Sequence, residues 1–395
     1  MAIARSVTSA LLPIMTVVFI GFLIIGMALP VLPLHVHQGL GMSTFVVGLV
    51  AGSQFIASLI TRVWSGRYAD SRGAKRAVLA GLVAAVAGGS LYLLSLRFVG
   101  APWVSVAILL LGRAVLGAAE SFIITGGVSW GLALAGPANA GKVIAWVGMA
   151  MFAALALGAP LGTALYSFRG FASIAIATAL IPLVTMLIVA PLAAIPPHRG
   201  ARSHLLKVAA TVWMPGLGSA LSSIGFGTMI AFSSLLSAER SWNPIWLLFS
   251  AFAISLVAAR LFLGHLPDRL GGAKVALISV FIEAGGLVLI WLAPAQGFAV
   301  VGALLTGLGF ALVYPGLGVE AVRRAPPQSR GLAMGAYTAF LDVALGFGSP
   351  ALGLIAGWGG LSSVFLAGGL IVLCAAVIAA RLLFAPAPAS PAGSL

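Results

Sequence analysis

The amino-acid sequence predicts an all-α membrane protein of twelve spanning helices in two pseudo-symmetric six-helix halves, and three observations carry that expectation. Hydrophobic residues make up 61% of the 395 and charged residues 7%, against roughly 45–50% and about 25% in soluble domains, so the chain cannot cover itself with polar surface in water. Apolar runs able to cross a hydrocarbon layer about 30 Å thick recur along its length. A charged pattern, Arg-x3-Gly-x3-Asp-x2-Gly, occurs twice, as Arg62, Gly66, Asp70, Gly73 and as Arg260, Gly264, Asp268, Gly271, with a displacement of 198 residues. Two of only seven carboxylates therefore hold the same place in two copies, which marks an internal duplication.

The spans follow in order. Six are centred near Phe22, Phe55, Val86, Gly117, Phe152 and Ile181, and six more near Ser223, Phe252, Phe281, Gly309, Val343 and Val372. The first begins near Leu11 without a short hydrophobic core and small-residue cleavage site ahead of it, so it reads as a membrane helix and not a signal peptide. Ile195 to Lys207 (IPPHRGARSHLLK) is the longest polar interruption, which divides the chain into halves 1–194 and 208–384 joined by a linker, 195–207. The tail, 385–395, is rich in Ala and Pro and is expected to be disordered. With the N-terminus inside, seventeen of the 21 Lys/Arg fall on the cytoplasmic side; Arg97, Arg169 and Arg240 fall outside and Arg113 lies within the membrane. That bias places both termini in the cytoplasm. The net charge of +14 then belongs to topology and anionic inner-leaflet lipid, and scattered charges of this kind do not suit nucleic-acid binding.

A second pair of segments repeats at a slightly different displacement. Gly141/Gly331, Gly158/Gly348 and Pro160/Pro350 in the fifth and eleventh spans are each 190 residues apart. Parallel six-helix repeats are the signature of one large class of secondary transporters. Gly66-Arg-Tyr-Ala-Asp70-Ser-Arg72-Gly73 with Gly264-His-Leu-Pro-Asp268-Arg269-Leu-Gly271, Arg113 to Ser121 (RAVLGAAES) and the fifth-span Gly/Pro pattern resemble the motifs of the major facilitator superfamily. Stretches such as Leu29 to His37 and Tyr337 to Pro350 look like its bacterial arabinose-efflux-permease-like branch. The resemblance covers essentially the whole chain and implies transport by alternating access. Two departures stand out: Ala159 separates Gly158 from Pro160, and Gly348-Ser-Pro350 has the same form, so the pattern reads as inherited packing as much as an antiporter motif. Pro267, ahead of Asp268, is expected to alter how the second loop is held.

Three acids remain inside the membrane, Glu120, Glu283 and Asp342. A charge there costs roughly 2.5–3.5 kcal/mol on insertion scales, so each needs a partner, a watery cavity or a proton. Arg113 and Glu120 lie on one face of the fourth span, about 10 Å apart, and both are expected to look into a central cavity together with Asp342. Asp342 is the leading proton-carrier candidate and Glu120 the next, with Arg113 tuning them; Glu283 falls on a helix that the resemblance makes peripheral, which favours a structural role. Asp70 and Asp268 are expected to form cytoplasmic latches with nearby Arg groups, Arg62 and Arg260 joining them while the glycines allow tight packing and turns. Gln54, Trp146, Phe226, Tyr314 and Tyr337 are candidates to touch substrate, although aromatic residues at helical spacing more often serve packing.

Other patterns carry less. Gly136-x4-Gly141-Lys142 approaches a phosphate loop but continues with Val143 and follows no strand; Gly127-Val-Ser129-Trp-Gly131 fits a nucleophile elbow but ends a membrane helix. His35 and His37 on an external loop read as two solvated side chains more readily than as a metal pair. Cys374 stands alone and excludes an internal disulfide. The sequence is therefore expected to specify a monomeric bacterial inner-membrane transporter, not an enzyme. It would use no cofactor or metal and would draw on the proton gradient. Its partners would be a small organic substrate, protons and the lipid bilayer. Proton-coupled efflux is the leading reading; proton symport or facilitated uptake of a sugar-like solute is the alternative, and a non-transporting receptor or scaffold is the competitor from another class.

Overall fold

A computed structural model describes residues 7–136, 140–192, 194, 205–325 and 330–384. The segment expected to link the halves lies outside these residues except for 205–207, which open a helix, and the expected tail lies wholly outside them.

The long helices are α1 (Val7–Ala28), α2 (Thr44–Arg72), α3 (Ala74–Ser95), α4 (Pro102–Ala135), α5 (Ala140–Arg169), α6 (Phe171–Val189), α7 (Leu205–Glu239), α8 (Leu247–Leu263), α9 (Gly272–Leu292), α10 (Gln296–Arg324), α11 (Arg330–Gly359) and α12 (Leu361–Phe384). Eleven are long and apolar enough to span a bilayer, and α8 is the shorter apolar helix, with 17 residues. Helix is the expected solution here, because a lipid-facing backbone must satisfy its own N–H and C=O groups. Internal prolines such as Pro160, Pro182, Pro315 and Pro350 are carried inside these helices, as close neighbours permit in a membrane bundle.

The two halves repeat one packing scheme. In the first, α1 lies on α5, α2 on α4, and α3 between α4 and α6; in the second, α7 lies on α11, α8 on α10, and α9 between α10 and α12. Gly158 and Gly348 occupy matching places in this scheme. A Cβ on Gly158 would come 2.7 Å from the carbonyl carbon of Gly26 on α1, and one on Gly348 would strike Ile224 on α7. Each glycine brings the fifth helix of its half against the first, as a packing element inherited in both copies would.

The halves meet along two seams, α2 against α11 and α5 against α8. Short connections make successive helices antiparallel, so α1, α5, α7 and α11 start at one end of the bundle, called here the near end, and α2 and α8 start at the far end. Toward the far end the first seam is built from glycine. Cβ atoms on Gly48, Gly52 and Gly353 would strike the carbonyl oxygens of Ser349, Gly346 and Thr44 respectively, and Thr44 Oγ1 donates to Gly353 O at 2.7 Å.

The duplicated loop preserves its turn and little else. Gly73 and Gly271 have φ of +94° and +93°, a region that side-chain-bearing residues rarely enter, and both cap the following helix. The preceding helices differ: α2 runs unbroken to Arg72, whereas α8 stops at Leu263 and a five-residue helix, Leu266–Leu270, carries Asp268. Pro267 sits in that short helix's first turn, where its lack of an N–H costs nothing, whereas in a continuous helix the same residue would remove a bond and clash. Gly66, expected to permit tight packing, has open space around the position of a Cβ.

Candidate functional site

The polar interior begins at Arg62. Expected to join the latch at Asp70, it instead donates from Nη2 to Asp342 Oδ2 on α11. Asp342 is buried, and the Arg62 side chain keeps 24% of its surface accessible. The long guanidinium arm explains the reach, since it carries the charge toward the bundle centre while its apolar stem stays against neighbouring helices. Asp70 and Asp268 are both exposed and form no ion pair among the described residues. Helical spacing placed Arg62 near Asp70, but across α2 and α11 the nearer carboxylate is Asp342.

Glu120 completes this side. Gln54, one of the substrate candidates, is fully buried on α2 and donates through Nε2 to Glu120 Oε2 at 2.6 Å. Arg113 does not open into a shared cavity with Glu120 as expected: it is 1% exposed and donates from Nε to Val50 O and from Nη2 to Ala51 O, each at 3.2 Å. Its role in this geometry is to tie α4 to the α2 backbone.

The second seam holds Arg260. Its guanidinium carbon lies 4.2 Å above the Phe152 ring of α5 and 5.9 Å from the Tyr314 ring of α10. Phe152 is the residue to which the 190-residue displacement carries Asp342, and Arg260 is the copy of Arg62. The repeat thus sets one arginine across each seam, against a carboxylate in one and an aromatic face in the other.

Around Arg260 the substrate candidates fall into two groups. Tyr314 and Tyr337 pack at 5.1 Å between ring centroids; Tyr337 OH donates to Tyr314 O at 2.6 Å, and Tyr314 OH lies 2.9 Å from Thr338 Oγ1. Phe226 stacks on Phe310 at 5.1 Å and meets Phe152 edge-on at 6.5 Å. Trp146 is half-buried on α5.

The remaining charges are set apart. Glu283 is fully buried, accepts from Ser222 Oγ at 2.6 Å through Oε2, and its Oε1 has no partner; it lies between helices of the second half, away from both seams. Glu320 pairs with Arg323 and Arg324 at the near end of α10, at 3.4 and 2.7 Å. His35 is not a solvated loop residue: it belongs to a helical continuation of α1 (His35–Gly39), is buried and stacks on Phe171 at 4.3 Å.

Sequence reasoning missed two features here, the Arg62–Asp342 pair and Phe152 as the seat of Arg260. The 190-residue displacement, applied to Asp342, would have found the second.

Comparison with known proteins agrees with the helical membrane fold. The family model described as Major Facilitator Superfamily matches residues 14–246 and again 216–394. An uncharacterized MFS-type transporter of Salmonella typhimurium is 42% identical over 379 residues, covering 96% of this chain and 98% of that protein. A counterpart in Burkholderia mallei is also 42% identical, over 390 residues, covering 95% and 91%. Among solved structures, a D-xylose-proton symporter superposes with a TM-score of 0.79 at 15% identity, covering 96% of this chain and 99% of that one. The nucleoside transporter NupG gives 0.77 at 16%, covering 94% and 99%. At such identities these two speak for the fold alone.

Proposed function

The chain belongs to the major facilitator superfamily, is a multi-pass membrane secondary transporter, and from that premise we propose that it couples export of a small organic molecule to proton entry by antiport. It would sit in the bacterial inner membrane as a monomer with both termini cytoplasmic, so that the near end faces the cytoplasm. The observation that carries this reading is the Arg62–Asp342 ion pair, which joins the two halves, while Gln54, on the same helix as Arg62, holds a second carboxylate, Glu120.

Protonation of Asp342 turns an ion pair into a contact between a guanidinium and a neutral carboxyl. The attraction across the α2/α11 seam drops, and Arg62, with Glu120 as the next carboxylate within its field, is released from the second half. Rocking of one half against the other then requires no buried ion pair to be broken, a step that otherwise costs several kcal/mol. Glu120 is kept in place by Gln54 Nε2, a donor that holds its carboxyl without adding charge. Cargo bound near the aromatic groups on the near side would leave when the seams exchange, and the proton would leave Asp342 when that carboxyl next faces the cytoplasm.

The test uses purified protein in vesicles loaded with a pH-sensitive dye and challenged with a panel of small organic compounds. A compound gradient is expected to drive protons the opposite way, and Asp342→Asn, with an unchanged elution profile, to abolish the response. Proton movement in the same direction as the compound would replace antiport with symport and thus favour uptake. An unchanged response in Asp342→Asn would remove Asp342 as the carrier.

A further inference from the structure

We propose that Arg260 is a binding site for the anionic group of the transported molecule, and that the cargo is accordingly an amphiphilic organic anion with one oxyanion group and an apolar or aromatic body. This deepens the transport reading above and rests on it.

The duplication supplies the first argument. Each seam receives an arginine from the same repeat position, Arg62 on α2 and Arg260 on α8, and each arginine crosses to the other half. Where Arg62 meets Asp342, the matching residue for Arg260 is Phe152. The first cation therefore has an internal counterion, and the second has a ring face. A cation over an aromatic face gains about 0.5–2 kcal/mol, whereas a guanidinium has five N–H donors in a planar fork suited to an oxyanion.

The second argument concerns what Arg260 does with those donors. Among the described residues its guanidinium makes no hydrogen bond and no ion pair, and Nε is buried without a partner. Buried charged donors are normally hydrogen-bonded; Arg62 Nε and Arg113 Nη1 are orphaned as well, but each of those guanidiniums has an acceptor at another nitrogen, whereas Arg260 has none among the described residues. Among the described residues no carboxylate lies within ion-pair distance of Arg260, and the Tyr314 ring is 5.9 Å from its guanidinium carbon.

Space and surroundings give the third. Among the described residues a Cβ built on Gly148 of α5 would meet only Arg260 Nη1, at 3.9 Å, so the absent side chain is what keeps this flank of the guanidinium uncrowded. The neighbouring side chains are aromatic: Phe152 and Tyr337, both buried in this state, and the half-buried Tyr314, with Phe226 behind Phe152. A carboxylate on Arg260 and an apolar body against these rings would satisfy both. The cargo thereby supplies, from outside, the counterion that the first seam carries in Asp342.

The test measures binding to the purified full chain. The probes are benzoate, phenylacetate and indole-3-acetate, each beside its primary amide, read by ligand-dependent melting temperature and intrinsic fluorescence titration. At least one acid is expected to bind saturably while its amide does not, and Arg260→Gln to weaken that acid at least about tenfold, equivalent to about 1.4 kcal/mol. Phe152→Asp, which installs an internal counterion, is expected to block the acid, and Phe152→Asn, which removes the ring without adding charge, to block it far less. The Phe152 pair carries the test if Arg260→Gln fails to fold. Equal binding of acid and amide, no binding by any acid, undiminished binding in Arg260→Gln, or equal effects of the two Phe152 variants would overturn the proposal. Asp342→Asn separates the two readings: it is expected to bind the acids and fail in proton movement. Acid selectivity with coupling unchanged in Asp342→Asn would sink the proton-carrier reading alone, and coupling without acid selectivity would sink this one alone.

Discussion

The seam between α2 and α11 and the seam between α5 and α8 descend from one repeat, yet the first is closed on itself and the second is left with an unanswered charge. In the first, Arg62 finds Asp342, and toward the far end glycines let the backbones of the two halves touch. In the second, Arg260 rests on Phe152 and makes no hydrogen bond among the described residues. A fold symmetric in its helix packing thus becomes asymmetric in its electrostatics through one replacement, an acid on α11 for an aromatic ring on α5. The difference teaches that repeat positions conserve geometry more faithfully than chemistry, and that function is to be sought where the chemistry diverges.

The largest expected effect comes from removing one cation from each seam. Arg62→Gln leaves Asp342 buried without its partner and is expected to destabilise the detergent-purified protein by about 3 kcal/mol, the lower end of the range for broken buried pairs because Arg62 is partly accessible. Arg260→Gln removes cation–π contacts to Phe152 and, more distantly, Tyr314 and is expected to cost about 1 kcal/mol. Thermal or denaturant melting of the two variants side by side would break the comparison if Arg260→Gln proved the more damaging.

Next in size is the contrast between a glycine in the seam and one in the duplicated loop pattern. Gly52→Val drives a side chain into the carbonyl of Gly346 and is expected to cost about 1–3 kcal/mol and to suppress transport, as overpacking does. Gly66→Ala enters open space and is expected to stabilise α2 slightly, by about 0.5–1 kcal/mol, through the ordinary helix preference for alanine. Melting temperature and vesicle flux report both, and a harmless Gly52→Val would mean that the first seam is not closed by backbone contact.

The smallest effect tests where the halves are still alike. Gly73→Ala and Gly271→Ala each force a side chain into positive φ, for which about 1–2 kcal/mol is expected. The two losses should agree closely in melting experiments, even though α2 is continuous and α8 is broken at Pro267. A clear inequality would show that the helix break, and not the turn, sets the stability of the second loop.

How much of this was legible in the sequence depends on the kind of relation involved. Every span centre, from Phe22 to Val372, falls within a helix, because membrane spans are written in local composition. The turn glycines Gly73 and Gly271 were readable for the same reason; Pro267 signalled a difference in how the second loop is held, but not that α8 stops at Leu263. The pairing of Arg62 with Asp342 was not readable, since it depends on how helices of different halves are set against each other, and no spacing along one helix encodes that. Gln54 was named as a substrate contact and proved to be the partner of Glu120; Phe152 was named only as the midpoint of a span. Neither relation is visible when helices are taken singly, because the chemistry lies between them.

The glycine contacts of the first seam have a consequence for how readily the two halves can separate and rejoin. A long side chain that locks into place loses up to about 2 kcal/mol of rotamer freedom; at Gly48, Gly52 and Gly353 the backbone of one helix meets the backbone of the other, and these glycines have no rotamers to freeze. Shutting this end of the bundle therefore orders almost nothing that was disordered before, so the closure is shallow in entropy and easily reversed. Across this seam the long charged side chain to be ordered is Arg62, held by its carboxylate, where a single proton can undo it.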